Sequence, residues 1–354
     1  MSGKPSSLRI DHDDLFSDEV EDYLAVQQNL RQVRPEAEPL SWWVRILYSN
    51  WFYLSLAAGV GAFLAWALLE PFTSDSEEDD LAGLLLFPTV AAGVGLFLGA
   101  AEGLMCRNLG RAAFSALVGT VVGFFGGGLL LIPATIVFVL AGQMASDIGS
   151  DTGPGGLPGG MGFLIFLMGR ATAWAIVAIA AGIGQGTALW QGKIVLNGVL
   201  GAALGGLLGG MLFDPLYLLL PAVDGEAAIS RCIGLTLIGL MVGLFVGLIE
   251  GWTKNAWLLM KHGPLAGKQF IMHRDSTVLG SSPRCEIYLF KDPDIEPRHA
   301  IIHNRGGRFE IEDCDTPDGT FVNDRRVNGR QWLQPGDEIV LGETVLEFSL
   351  RDTE

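Results

Sequence analysis

Hydrophobic positions fall into three regimes along the chain. Residues 1–40 are mostly polar, residues from about 50 to 252 contain six long apolar runs, and the segment after Lys261 alternates apolar and polar residues over short stretches. The runs 50–69, 81–104, 112–140, 162–189, 194–220 and 232–252 each have about the 20 residues that a helix needs to cross a bilayer. Trp42, Trp43, Trp51 and Tyr53 gather where the first run begins, as in an interfacial aromatic belt. The last regime predicts strands over 269–273, 276–279, 286–290, 299–303, 309–313, 320–322, 338–341 and 345–350. Period-two alternation with turns about every 8–12 residues is the pattern of a β-sandwich. The predicted fold is therefore multi-domain: an acidic cytosolic tail (1–40), an α-helical polytopic membrane bundle (41–260) and an all-β sandwich (264–354).

The apolar runs repeat one another. Gly95, Gly99 and Gly103 in the second run match Ala178, Gly182 and Gly186 in the fourth and Gly243, Gly247 and Gly251 in the sixth. Glu102, Gln185 and Glu250 each precede the last of these glycines by one residue. The odd runs answer with Gly119, Gly123, Gly127, with Gly201, Gly205, Gly209, and more weakly with Ala57, Gly61, Ala65. Three copies of a helical hairpin account for this pattern. Small residues four apart let helix backbones approach closely, so glycine zippers are expected to hold the bundle, and the same faces offer a surface for self-association.

Charge changes the picture in two ways. The chain carries 23 basic and 39 acidic residues, and no region is basic: residues 1–50 hold 5 and 9, residues 51–260 hold 6 and 13, and residues 261–354 hold 12 and 17. Nucleic acid is excluded as a partner, because phosphate neutralisation needs a Lys/Arg stripe. The loops supply an orientation. Arg107 and Arg111, then Lys193, then Lys254 and Lys261 mark one side, whereas the connections near 70–80 and 142–160 lack Lys and Arg. The positive-inside rule places both termini in the cytosol, with Arg231 as the dissenting charge. In the tail, Phe16, Val20, Tyr23, Leu24 and Leu30 have helical spacing, but the surrounding acids favour a solvated segment, and Pro35 and Pro39 end any helix. The four cysteines lack the spacing of a metal site or of a disulfide scaffold, and read as isolated buried thiols.

Glu102, Arg170, Asp214 and Glu250 are ionisable residues within or beside the runs. Such charges are functional candidates by default. Glu102 and Glu250 sit near helix ends, where water or Arg107 and Lys254 can meet them. Arg170 lies about 13 Å into its run at 1.5 Å per residue, and Asp214 has a similar depth from the opposite face. A structural Arg170–Asp214 pair is the preferred reading over a substrate or ion site.

Four motifs mark the carboxy-terminal segment: Leu279 with Gly280; Ile295, Arg298, His299 and Ala300; Asp318, Gly319, Thr320, Phe321, Val322 and Asn323; and Leu333, Pro335, Gly336, Asp337, Ile339, Leu341 and Gly342. Their order and spacing resemble the forkhead-associated (FHA) domain over about residues 264–352. The membrane half resembles, loosely, the glycine-rich multi-span regions fused to such domains in bacteria. The resemblance implies phosphothreonine-peptide recognition by loops at one end of the sandwich. The supporting positions Gly280, His299, Gly319, Thr320 and Asn323 are kept, with Asp324 where glycine usually follows. Three ligand positions depart: Ser281 replaces an arginine, Glu296 a serine and Asp318 an asparagine. One lost charged hydrogen bond removes roughly 1.5–3 kcal/mol. A carboxylate ~5 Å from a phosphate charge adds about 3 kcal/mol of repulsion at an effective dielectric near 20. Arg284 and Arg298 stand nearby as replacement anion ligands, but a surface for an unphosphorylated segment suits the residues better.

The reading is a protein-interaction scaffold of the bacterial inner membrane, its sandwich meeting a protein or phosphoprotein partner and its helices meeting lipid. The competing class is a transporter or channel regulated by the sandwich. No nucleophile elbow, P-loop or zinc helix occurs, so no enzyme activity, catalytic residue, cofactor or metal is expected.

Overall fold

The computed structural model describes residues 41–73, 81–149, 156–188, 190–219 and 228–351. The acidic tail, and the helical spacing noted within it, lie outside the described residues. A short α1 (Trp42–Leu47) precedes six long helices: α2 (Asn50–Leu69), α3 (Leu81–Met105), α4 (Leu109–Ile148), α5 (Met161–Ala188), α6 (Gly192–Leu219) and α7 (Ala228–Thr253). Each apolar run has become one helix long and apolar enough to cross a membrane. Consecutive helices pack side by side, α7 returns to α2, and α3 also touches α5, so the six close into a ring.

Glycine sets the closest approaches. A methyl on Gly99 would strike the Ser115 carbonyl, on Gly182 the Gly198 carbonyl, and on Gly247 the Trp51 backbone. The equivalent residues of the three repeats thus face the next helix at three equivalent seams, α3–α4, α5–α6 and α7–α2. The odd runs do likewise, with Gly61 against Gly93 and Gly205 against Val242. Gly251 departs from the motif, since a methyl there meets nothing within 4 Å. Helix α4 also exceeds its expected span. It runs for 40 residues, about 60 Å at 1.5 Å per residue, which is twice a hydrocarbon core. Asn108 starts it early by accepting from the Arg111 N–H at 3.1 Å, and nothing stops it before Gly149.

The sandwich comprises β1 (Ala256–His262), β2 (Gln269–Ile271), β3 (Ser276–Gly280), β4 (Ile287–Tyr288), β5 (Ala300–Arg305), β6 (Arg308–Asp313), β7 (Thr320–Val322), β8 (Arg325–Arg326), β9 (Arg330–Leu333), β10 (Glu338–Leu341) and β11 (Thr344–Leu350). One sheet runs β2-β1-β11-β10-β7-β8 and the other β4-β3-β5-β6-β9. Their inner faces bury Leu258, Leu279, Ile302, Ile311, Ile339, Leu346 and Phe348. The sequence reading missed β8, β9 and, most consequentially, β1. Residues 256–260, assigned above to the bundle, pair with β11 and β2, so the sandwich begins before residue 264. The apolar Trp257–Met260 stretch looks like the end of the last run until its alternating burial is seen. Only Lys254 and Asn255 separate α7 from β1.

Candidate functional site

Three loops meet at one end of the sandwich because β3 stops against the β4–β5 connection. A Cβ on Gly280 would lie 2.5 Å from the Pro297 carbonyl oxygen, so glycine permits the approach. Beyond it, the Ser281 N–H donates to the Glu296 carbonyl at 2.9 Å and the Ser282 N–H to the Pro297 carbonyl at 3.3 Å. His299, fully buried, ties in the third loop. Its Nδ1 accepts from the Glu296 N–H at 3.1 Å, which assigns the proton to Nε2, 3.3 Å from both the Gly319 carbonyl and Thr316 Oγ1.

Beneath these loops Asp313 accepts from Thr320 Oγ1 at 2.7 Å, from Thr316 Oγ1 at 2.9 Å and from the Thr316 N–H at 3.0 Å. Burial pushes its carboxyl up, but the hydrogen bonds from Thr320 and Thr316 outweigh burial and hold it below the usual value. Gly319 has φ +75°, and Arg326 lies across it, its Nη2 donating to the Thr316 and Pro317 carbonyls at 3.2 Å. Asp313, Thr316 and Arg326 were not singled out from sequence. The available signal was the Asp-x-x-Thr spacing of a side-chain-capped turn.

The loop cluster thus gathers Gly280, Ser281, Glu296, His299, Gly319 and Thr320. Arg284, Glu296, Arg298 and Asp318 are exposed on it. Asn323 faces elsewhere: its Nδ2 donates to Asp337 at 2.7 Å and its Oδ1 accepts from the Glu338 N–H at 2.9 Å. With Asp324 it forms the β7–β8 turn at φ +49° and +65°, the left-handed pair of a tight hairpin. The four cysteines are free. Cys106 and Cys285 are buried as expected, whereas Cys232 and Cys314 are only half-buried. Burial raises the Cys285 and Cys314 thiols.

Within the bundle, Arg170 Nη1 lies 2.6 Å from Asp214 Oδ1, forming the expected ion pair. The contact is a close approach of charges without hydrogen-bond angles, since neither Asp214 oxygen accepts a hydrogen bond among the described residues. The rings of Phe166, Phe138 and Phe213 face the guanidinium at 4.9, 5.3 and 5.4 Å. Arg231, the dissenting charge, is bound through Nε and Nη2 to Glu70, as close as 2.6 Å. Glu102 and Glu250 do not meet the cations suggested for them. Glu102 lies 3.9 Å from Arg111, because Arg107, at φ +52°, turns to lie over Phe290. Glu250 accepts from Gln185 at 2.9 Å and Asn50 at 3.3 Å, while Lys254 donates to Gln269 at 2.6 Å. Glu102, Gln185 and Glu250, equivalent in the repeat, line one cavity of about 60 Å³ at the sandwich end of the ring.

The sandwich is packed onto that end. Asn108 Nδ2 donates to the Pro283 carbonyl at 2.6 Å and Arg111 to the Glu286 carbonyl at 3.2 Å. Tyr48 and Cys106 join the apolar core of the sandwich. Among the described residues no group of three His, Cys, Asp or Glu is placed to hold a metal.

Comparison with known proteins bears on the sandwich. A family model described as FHA domain matches residues 277–342. The oxoglutarate dehydrogenase inhibitor of Corynebacterium efficiens is 38% identical over 94 residues, covering 27% of this chain and 65% of that protein. The protein of the same name in Corynebacterium jeikeium is 36% identical over 102 residues, 29% of this chain and 67% of the relative. The glycogen accumulation regulator GarA of Mycolicibacterium smegmatis is 35% identical over 94 residues, 27% and 58% respectively. The chain therefore spans about two thirds of the length of these relatives or less, and most of its own length lies outside the matches.

Proposed function

With its carboxy-terminal domain belonging to the FHA family, we propose that this chain is a membrane-anchored protein-interaction module without catalytic activity. Its glycine-zipped bundle fixes a cytosolic sandwich at the bilayer surface, and phosphothreonine recognition by the sandwich has degenerated. The observation that carries this reading is a division of labour among the loop residues. Gly280, His299, Gly319 and Thr320 build the loop cluster through backbone and buried contacts. The exposed positions beside them present Glu296 and Asp318 where the family presents neutral ligands, and half-buried Ser281, whose N–H is already engaged, stands where it presents a cation. Arg284 and Arg298 are the cations left to receive an anionic ligand there.

The test is titration calorimetry of a degenerate phosphothreonine library against the full chain in nanodiscs, since Tyr48 and Cys106 complete the core of the sandwich. Binding no stronger for phosphorylated than for unphosphorylated peptides is expected. The triple variant Ser281→Arg, Glu296→Ser, Asp318→Asn should gain phosphate-dependent binding. Tight phosphate-dependent binding by the unaltered chain would refute the degenerate reading.

A further inference from the structure

The helix ring holds a larger cavity, of about 430 Å³, at the end away from the sandwich. Its depth follows from chain direction. Helices α3, α5 and α7 run from this end toward the sandwich. Along each of them the cavity is lined first by one residue and then by a deeper one: Leu84 and Phe87 on α3, Arg170 and Val177 on α5, Arg231 and Leu235 on α7. Arg170 and Val177 lie two helical turns apart, about 10 Å at 1.5 Å per residue. Both arginines therefore stand at the rim, above an apolar floor.

The floor suits a hydrocarbon. Phe87 stacks on Trp174 at 4.9 Å, Trp174 faces Phe213 at 6.4 Å, and Ala134, Val177 and Leu235 complete the wall. A water placed there would lack the polar partners it needs. The rim suits an anion. Arg170 and Arg231 are the charged residues among the described ones that line the cavity, and their partners Asp214 and Glu70 do not line it, so each ion pair presents its guanidinium. Both guanidiniums are positioned in advance: Phe138, Phe166 and Phe213 surround Arg170, and Glu70 holds Arg231 through Nε and Nη2. Asp214 balances the charge of Arg170 without accepting a hydrogen bond among the described residues. The planar fork of an arginine, with its five N–H donors, matches the oxygens of a carboxylate or a phosphate. Leu84 and Thr135, which border the cavity, are exposed, so it is open on the side of α3 and α4. Its volume lies within the roughly 300–1,000 Å³ of small-molecule sites.

We propose that this cavity binds an anionic amphiphile, its carboxylate or phosphate head at Arg170 and Arg231 and one apolar chain along Phe87, Trp174 and Leu235. The inference rests on the membrane-anchored reading only for where such a ligand comes from, and binding measured in neutral maltoside micelles stands or falls apart from it.

Fluorescence quenching by brominated probes tests this in the full chain. Trp174 is one of nine tryptophans, so Trp174→Phe supplies the background. Octanoate brominated at its chain end, or phosphatidylglycerol brominated in mid-chain, should quench the parent more than Trp174→Phe. The matching bromooctanol and brominated phosphatidylcholine should bind at least tenfold more weakly than their anionic counterparts. Binding of octanoate alone assigns the site to a free fatty carboxylate, and binding of phosphatidylglycerol alone to a phospholipid phosphate. Two paired variants, Arg170→Leu with Asp214→Leu and Arg231→Gln with Glu70→Gln, keep the net charge and should each weaken anion binding at least tenfold. Equal binding of anionic and net-neutral probes, quenching unchanged in Trp174→Phe, or anion binding unchanged in either paired variant would overturn the proposal. Should a paired variant fail to fold, the preference of the parent for the anionic probes decides.

Discussion

Substituting Arg170 and Asp214 singly and together probes the bundle most directly, because the structure makes the two single losses unequal. Arg170→Leu leaves Asp214 fully buried, with no hydrogen bond among the described residues to carry its charge. Breaking a buried pair in this way costs about 3–5 kcal/mol. Asp214→Leu leaves a guanidinium that is a quarter exposed and faced by three aromatic rings at 4.9–5.4 Å. Each ring returns about 0.5–1 kcal/mol, so this loss should be smaller, about 1–3 kcal/mol. The double leucine variant removes both charges and should recover to within about 1 kcal/mol of the parent. Equilibrium unfolding in mixed micelles of all four proteins gives the coupling energy, expected to be 3 kcal/mol or more by the same estimate. Additive losses, or a larger loss for Asp214→Leu than for Arg170→Leu, would refute the reasoning.

Three further outcomes follow from particular contacts. Gly243→Leu should destabilise the α2–α7 seam by at least about 1–3 kcal/mol, because its side chain would enter the Leu54 backbone, whereas Gly251→Leu should be neutral or stabilising, there being open space; equal effects in thermal unfolding would contradict the seam. Asp313 has a folded-state pKa below its unfolded one, so its stabilisation is present above pH ~4 and is lost as pH falls through the folded value. Asp313→Asn should therefore flatten the acid limb of sandwich unfolding below pH ~4, and an unchanged acid limb would count against that. Reporter fusions after Thr73 should report an exported position and fusions after Arg107 or at the carboxy-terminus a cytosolic one; an exported sandwich would reverse the orientation argued from loop charges.

The parts legible in the sequence were those governed by local pattern. Run length located the six helices, and depth along the run placed Arg170 and Asp214 at compatible heights. Motif order identified the sandwich and the residues that hold its loops. Long-range partners were not legible. Glu70 lies 161 residues from Arg231, and Asn50 lies 200 residues from Glu250, so nearest-charge guesses picked Lys254 in place of Asn50 and Gln185. Arg107 was closer in sequence to Glu102 than Arg111 was, but its left-handed backbone carries the side chain away. β1 was hidden because its apolar residues continue the composition of α7, and only pairing with β11 distinguishes strand from helix end. The burial of Lys268, 1% exposed, gave no signal at all, since a lysine in a turn reads as solvated until the bundle beneath it is seen.

The joint between the two domains also limits how the sandwich can work. A sandwich on a flexible tether would sample partners independently of the bundle, but here two residues join α7 to β1. Arg351 donates to the Trp252 carbonyl, and Pro283 and Glu286 accept from Asn108 and Arg111 at the α3–α4 corner. Pro283 and Glu286 belong to the same loop as Arg284, which is proposed to receive an anionic ligand. The hydrogen bonds to that loop are worth about 0.5–1.5 kcal/mol each, so together they couple loop and corner by about 1–3 kcal/mol. That lies within the usual range of coupling between sites. A ligand shifts the α3–α4 corner only by the difference in its affinity for the seated and unseated loop. Because a methyl on Gly103 would enter the Ala112 backbone at that corner, α3 and α4 have little room to slide there. Movement of the loop is therefore expected to proceed by breaking the Asn108 and Arg111 contacts rather than by deforming the helices beneath them.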